Sequence, residues 1–182
     1  MSGSGIVPPE HFDTKRLHLR RPTPADAADV FEYASDPEVT RYLGFPTHRS
    51  LETSEGFLRS LPPPGPDSDR FAWAITLLGS DRLIGVVEIR IRATRADVGY
   101  VLTRRCWGQG YMTEAVSPIV EWAREQGSIH RVWATCDVEN RASARVLEKV
   151  GMQREGILRQ WEVNPNMGNA ARDHYCYSIV RS

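Results

Sequence analysis

The chain has 182 residues, enough for one domain with a core of its own and too few for two of ordinary size. Its 23 Lys and Arg balance 23 Asp and Glu, so no global charge favours nucleic acid or a membrane surface as a partner. Three cysteines, Cys106, Cys136 and Cys176, match neither a disulfide framework nor a metal site, and no apolar run approaches the roughly 20 residues that span a bilayer. With no export signal at its start, the sequence reads as a cytoplasmic protein of one domain, residues 1–182, whose first ten residues are expected to be flexible.

Taken in order, "KRLHLRR" alternates Leu17 and Leu19 with His18 and Arg20, the period of a strand with one buried face. "TPADAADVFEYAS" follows with Thr23 at a cap position, Pro24 at the first helical position and Asp26 three residues on, and Ala27, Val30, Phe31 and Ala34 form its apolar stripe. A second helix is expected from Ser50 to Leu61, stopped by "PPPGP" at 62–66. "RFAWAITLL" and "RLIGVVEIRI", joined by "GSD", read as a long antiparallel hairpin, and "ADVGYVL" as a third strand. "QGYMTEAVSPIVEWAREQG" is an amphipathic helix in which Pro118 predicts a kink. "RVWATCDV" at 131–138 is a strand, "NRASARVLEKVG" a helix capped by Asn140 and ended by Gly151, and "ARDHYCYSIV" at 171–180 a last strand. The strands at 96–102 and 131–138 flank a helix and so suit parallel neighbours joined by a right-handed crossover. The class is α/β with a mixed sheet.

"RRCWGQGYMTEAV" at 104–116 stands where a strand hands over to a helix. The first N–H groups of a helix lack internal partners and carry partial positive charge, which suits a phosphate. Gly108 and Gly110 would let the backbone approach such a group, and Arg104 and Arg105 would add charge. The spacing is neither a Walker loop nor a dinucleotide fingerprint, and glycines also suit an ordinary strand-to-helix turn, so both readings stand on this stretch alone.

Arg105, Gly108 and Gly110 fit the R/Q-x-x-G-x-G/A signature of GNAT acyltransferases, and the chain resembles their RimJ/RimL branch, the protein N-terminal and related N-acetyltransferases. The resemblance runs through "TKRLHLRRPTPADA", "SDPEVTRYLG", "LIGVVEI", "VGYVLTRRCWGQGYMTEAV", "HRVWATCDVENRASARVLEKVGM" and "EGILR" in the family's order. It implies a mostly antiparallel twisted sheet of about seven strands, splayed between the fourth and fifth, with about four helices. It also implies acetyl-CoA as cofactor, an amine as acceptor and no metal, in a monomer or homodimer. The loop Arg105, Cys106, Trp107, Gly108, Gln109, Gly110 and Tyr111, with Arg104 beside it, would bind the pyrophosphate. Tyr100, Val101 and Leu102 would flank the pantetheine as if it were an added strand, and Asn140 and Ser143 would face its thiol end.

Direct acetyl transfer needs a neutral amine, an oxyanion donor and a proton for the departing thiolate. Glu88, in an apolar run where a carboxylate is costly, is the first candidate base, with a salt bridge to Arg90, Arg92 or another strand's arginine, or an outward-facing position, as the plain alternative; Glu162 is the second. Many GNAT enzymes carry a tyrosine acid where this chain has Leu147, and the resemblance moves that role to Ser143. Cys106 reads as a bystander. Tyr42, Trp161, Glu162 and Tyr177 are expected around the acceptor, either a protein N-terminus or a small amine such as a polyamine or aminoglycoside. A non-catalytic CoA-binding module is the alternative from another class.

Overall fold

A computed structural model describes residues 5–181. Its first elements follow the sequence pattern closely. A two-residue strand β1 (Phe12–Asp13) precedes β2 (Leu17–Arg20), whose Leu17 and Leu19 are fully buried, as their alternation requires. The turn after Pro22 differs in detail. Pro24–Asp26 form a 3₁₀ turn in which the Asp26 carboxylate accepts from Thr23 N–H (2.6 Å), and the α-helix α1 (Ala27–Ala34) begins only after it.

One further turn of helix, α2 (Pro37–Thr40), is capped by Asp36 and lies ahead of α3 (Leu51–Ser60), capped by Ser50. Then come β3 (Arg70–Leu77), β4 (Leu83–Arg92) and β5 (Arg95–Leu102), followed by α4 (Tyr111–Glu125), β6 (Arg131–Asp137), α5 (Arg141–Lys149), β7 (Gln153–Val163) and β8 (Ala171–Val180). Pro118 is accommodated inside α4, which continues through it.

The eight strands make one sheet in the order β1-β2-β3-β4-β5-β6-β8-β7, antiparallel except for β5 and β6. Two-residue β1 and one-turn α2 are what exceed the expected seven strands and four helices. Both faces of the sheet are covered. Phe71, Trp73 and Ile75 of β3 point into a core with Ala115, Val116 and Ile119 of α4 and Leu147 of α5, while Ala72 and Ala74 meet Val30, Tyr33 and Ala34 of α1. That two-sided burial explains why β3 and β4 read as apolar runs rather than as clean alternation.

β7 lies at the sheet edge and is exposed except at half-buried Leu158, so it has no burial period for a sequence reading to detect. Its register to β8 breaks between Leu158 and Glu162, where Gln160 takes a left-handed φ of 49°.

The start of the described chain is tied down. Gly5 N–H donates to the Pro66 carbonyl (3.2 Å) and the Trp73 indole donates to the Pro9 carbonyl (3.1 Å); residues 1–4 lie outside the described residues. Among the described residues no helix is long and apolar enough to cross a membrane, and no cluster of side chains suits a metal ion.

Candidate active site

The parallel ladder between β5 and β6 covers only Arg95, Ala96 and Asp97 against Arg131, Val132 and Trp133. Beyond it the strands diverge, and residues 98–102 have no ladder partner on that side. The gap opens into a cleft of about 620 Å³ walled by the α2–α3 loop, the end of β5, the turn into α4, and α5. Tyr42, Tyr100, Val101, Leu102, Cys106, Trp107, Gly108, Gly110, Tyr111, Asn140 and Ser143 line it, so most of the residues expected at the cofactor come together here.

At the mouth, Gly108 and Gly110 have φ of 74° and 79°, a region that disfavours any side chain. Gly110 is also the N-cap of α4 and offers no capping side chain, so the N–H groups of Tyr111, Met112 and Thr113 are left without the cap that Ser50 or Asn140 supplies to other helices. The loop is held from outside the motif. Arg16 donates through Nε to Glu114 Oε2 (2.7 Å) and through a terminal nitrogen to the Gln109 carbonyl (3.0 Å), and its guanidinium lies 4.4 Å from the centre of the Tyr111 ring. Glu114 also accepts from the Thr14 hydroxyl and from Arg16 N–H.

The two motif arginines are engaged elsewhere. Arg104 pairs with Asp36 (2.9 Å) and Arg105 with Glu32 (3.0 Å), and neither lines the cleft; Gln109, also outside the lining, donates to the Arg105 carbonyl. Cations do line it from α5, as Arg141, Arg145 and Lys149. Their i, i+4, i+8 spacing was visible in the sequence, but helix cap and core positions drew the reading of that segment instead.

Deeper in, the Tyr100 hydroxyl and the Ser143 hydroxyl stand 2.9 Å apart across the gap, and Tyr100 also donates to the Ser143 carbonyl (3.1 Å). Burial raises the Tyr100 pKa, so its phenol stays protonated. Asn140 Oδ1 accepts from Ser143 N–H (3.1 Å), which fixes the first turn of α5 and presents the serine. The nearby Cys136 thiol is pushed by burial up to about 11, and burial likewise raises Cys106, so both remain thiols at neutral pH.

The acceptor-side expectations divide. Tyr42 is on the cleft wall. Tyr177 is not at an acceptor pocket: it is 1% exposed, paired with Ala134 in the core beneath α5, and donates to Glu148 (2.9 Å). Trp161 is half exposed on β7, outside the cleft. Glu162 reaches the α2–α3 loop, where a Cβ on Gly44 would stand 2.9 Å from its Oε1. Glu88 faces the α1 side of the sheet with Arg70 (2.7 Å) and Arg90 (3.4 Å) on its two oxygens, and it does not line the cleft.

The α2–α3 loop is fastened to the β7–β8 loop by two asparagines that the sequence did not single out. Asn166 Nδ2 donates to the carbonyls of Thr40 (2.8 Å) and Phe45 (2.8 Å), its Oδ1 accepts from Thr47 N–H (2.9 Å), and Asn164 donates to the Arg41 carbonyl (3.0 Å).

Residues 16–153 match the family described as the acetyltransferase (GNAT) domain. The chain belongs to the GNAT acetyltransferase family. It is 31% identical over 173 residues to the uncharacterized N-acetyltransferase YoaA of Bacillus subtilis (strain 168), covering 93% of this chain and 96% of that protein. A GNAT-family acetyltransferase from Bacillus anthracis superimposes with a TM-score of 0.80 at 26% identity, over 93% of this chain and 98% of the other. Over half its length (50% of this chain, 53% of the relative) the chain is 30% identical to the ribosomal-protein-serine acetyltransferase of Escherichia coli (strain K12). Solved structures of the same fold hold acetyl-CoA or coenzyme A. The protein is an acetyl-CoA-dependent N-acetyltransferase, and its uncapped helix and splayed strands are chemically suited to that cofactor.

Proposed function

We propose that this GNAT enzyme is of the RimJ/RimL type and acetylates the α-amine of a protein N-terminus, with Ser143 as proton donor and Glu162 as base acting through water. The hydrogen bond between Tyr100 and Ser143 is the observation that carries this reading. It holds a hydroxyl at the splay, beside a phenol that burial keeps protonated, where a departing thiolate requires a proton. Bound acetyl-CoA supplies the activated acetyl group as a thioester. The attacking amine must be neutral: an α-amine with pKa near 8 is about one-tenth neutral at pH 7, a lysine only about one part in a thousand or less. Among the described residues, no histidine lines the cleft, which suits an acceptor needing little help. As the amide forms, the proton lost by the neutral amine passes through water to Glu162, and Ser143, hydrogen-bonded to Tyr100, protonates the thiolate and regains a proton from solvent while Glu162 releases its own, leaving amide and CoA thiol.

Glu162 is preferred to Glu88 because both Glu88 oxygens face arginines, whereas Glu162 reaches the loop that carries Tyr42. The partial likeness to the ribosomal-protein-serine acetyltransferase supports a protein acceptor. Release of free CoA with peptides bearing free or blocked N-termini, polyamines and aminoglycosides tests the reading. Turnover is expected with free N-termini and not with blocked lysine-containing peptides; turnover confined to polyamines or aminoglycosides would reject the protein acceptor. With an active peptide, Glu162→Gln is expected to remove the acidic limb of the kcat/KM profile and Glu88→Gln to leave its shape unchanged; the reverse result returns the base to Glu88.

A further inference from the structure

The two adjacent arginines of the glycine motif turn away from the cleft and reach carboxylates four residues apart in the chain, Arg105 to Glu32 (3.0 Å) and Arg104 to Asp36 (2.9 Å). The two pairs hold different things. Glu32 is shared with Arg82, which also takes Asp29, so Arg105 joins a cluster that ties α1 to the turn between β3 and β4. Asp36 has Arg104 as its one ion-pair partner among the described residues, and it is also the anchor of α2. Its Oδ1 accepts from Glu38 N–H (3.0 Å), its carbonyl accepts from the N–H groups of Val39 (3.1 Å) and Thr40 (3.0 Å), and its Oδ2 accepts from Arg104 Nε.

A helix of one turn does not keep its shape unaided, because its first hydrogen bond must fix several residues at once. α2 therefore depends on Asp36, and with it the cleft wall made by Glu38, Val39, Arg41, Tyr42 and Leu43. Asn164 and Asn166 fasten that wall from the β7–β8 side, and Arg104 reaches it from the glycine loop. We propose that Arg104 and Asp36 are positioning residues that carry the seating of acetyl-CoA on the glycine loop across to the acceptor wall. With the turn into α4 settled around the phosphates, Arg104 keeps Asp36 in its capping position, and Asp36 orders α2 and the segment bearing Tyr42. Arg104 touches neither substrate and acts through Asp36, which accounts for a motif arginine that points away from the anion. This coupling rests on acetyl-CoA occupying the cleft and on the wall of Tyr42 receiving the amine, as read above.

Hydrogen exchange of the whole protein with and without saturating acetyl-CoA tests it, with the amides of residues 38–45 as the reporter. In wild type, acetyl-CoA is expected to slow that exchange about fivefold, the scale of a coupling carried by one partly exposed ion pair. Arg104→Gln removes the link. Asp36→Asn leaves a single side-chain acceptor oxygen for two donors, so it can cap α2 but cannot also hold Arg104. Both variants should bind acetyl-CoA within about threefold of wild type by titration, since neither residue lines the cleft, and lose most of the cofactor-dependent slowing. Arg104→Lys, which keeps the charge, should restore part of it. A pair that merely stabilises the fold would, when broken, raise exchange equally with and without acetyl-CoA; that result would overturn the coupling, as would slowing in Arg104→Gln equal to wild type. With an amine that the enzyme acetylates, Arg104→Gln should raise KM about fivefold and keep kcat within about twofold. Lost slowing with an unchanged KM would overturn the acceptor wall and not the link, whereas failure of wild type to bind acetyl-CoA would overturn the cofactor site and the link together.

Discussion

Ser143 can carry a proton only because two neighbours fix it. Asn140 sets its backbone from the cap of the same helix, and Tyr100 sets its hydroxyl from β5 across the gap. Ser143→Ala is therefore expected to lower kcat by about 10²-fold, the usual scale for loss of a general acid, with acetyl-CoA affinity held within about threefold. Tyr100→Phe keeps the ring and loses the hydroxyl, so its loss of kcat should be smaller. A titration of cofactor binding beside single-turnover rates would separate these effects, and an unchanged kcat in Ser143→Ala would remove Ser143 from the reaction. Cys136 is close enough to invite a covalent mechanism, but a thiol pushed up to about 11 is almost wholly protonated at pH 7 and makes a poor nucleophile. The glycine signature and the asparagine cap were readable residue by residue because each depends on local backbone geometry. The destination of Arg104 and Arg105 was not, since Asp36, the cap of α2, and Glu32, in α1, approach them from about 70 residues earlier.

At the scale of elements, the cleft is built from segments whose own folding is ordinary. The hairpin of β3 and β4, the helix after the glycines and the helix capped by Asn140 all follow from period, cap and breaker, and the structure has them within a residue or two of the expected bounds. What escaped is how the acceptor-side wall is fastened. β7 has no buried face, and the asparagines that fasten the β7–β8 loop to the α2–α3 loop act across 121 residues in the case of Phe45. Nothing in "NPNMG" announces such a contact. Asn166→Ala would leave several backbone groups of residues 40–47 without partners. Hydrogen exchange should rise in that loop, and KM for an active amine should increase about tenfold, equivalent to about 1.4 kcal/mol, with acetyl-CoA affinity unchanged. Exchange equal to wild type in residues 40–47 would show that the loop holds its shape without the asparagine.

For the molecule as a whole, two buried histidines couple stability to pH. His48 donates to or accepts from Ser54 (2.8 Å), while His174, 6% exposed, has neither ring nitrogen partnered among the described residues and lies near Glu162, Asp137, Asp173 and Arg172. Burial lowers the pKa of both below the ordinary value near 6.5. The unfolded chain thus takes up these protons first as pH falls, so stability is greatest above about 6.5 and is lost between there and the lowered folded values. The thermal midpoint is expected to drop between pH 7 and pH 5, and His174→Asn to flatten that slope. A slope identical to wild type would mean that His174 contributes nothing to it.

The ladder of three residue pairs between β5 and β6 also bears on how the two parts of the sheet hold together. Apart from the two-pair ladder that adds the short β1, it is the narrowest seam in the sheet, with five strands on one side and three on the other, and it widens towards the cleft. A cofactor lying in the opening would supply the missing rungs and bridge the halves, as mortar does between courses of brick. Binding chemistry and mechanical cohesion would then share one place, and the empty enzyme should breathe first along the line that its own substrate closes.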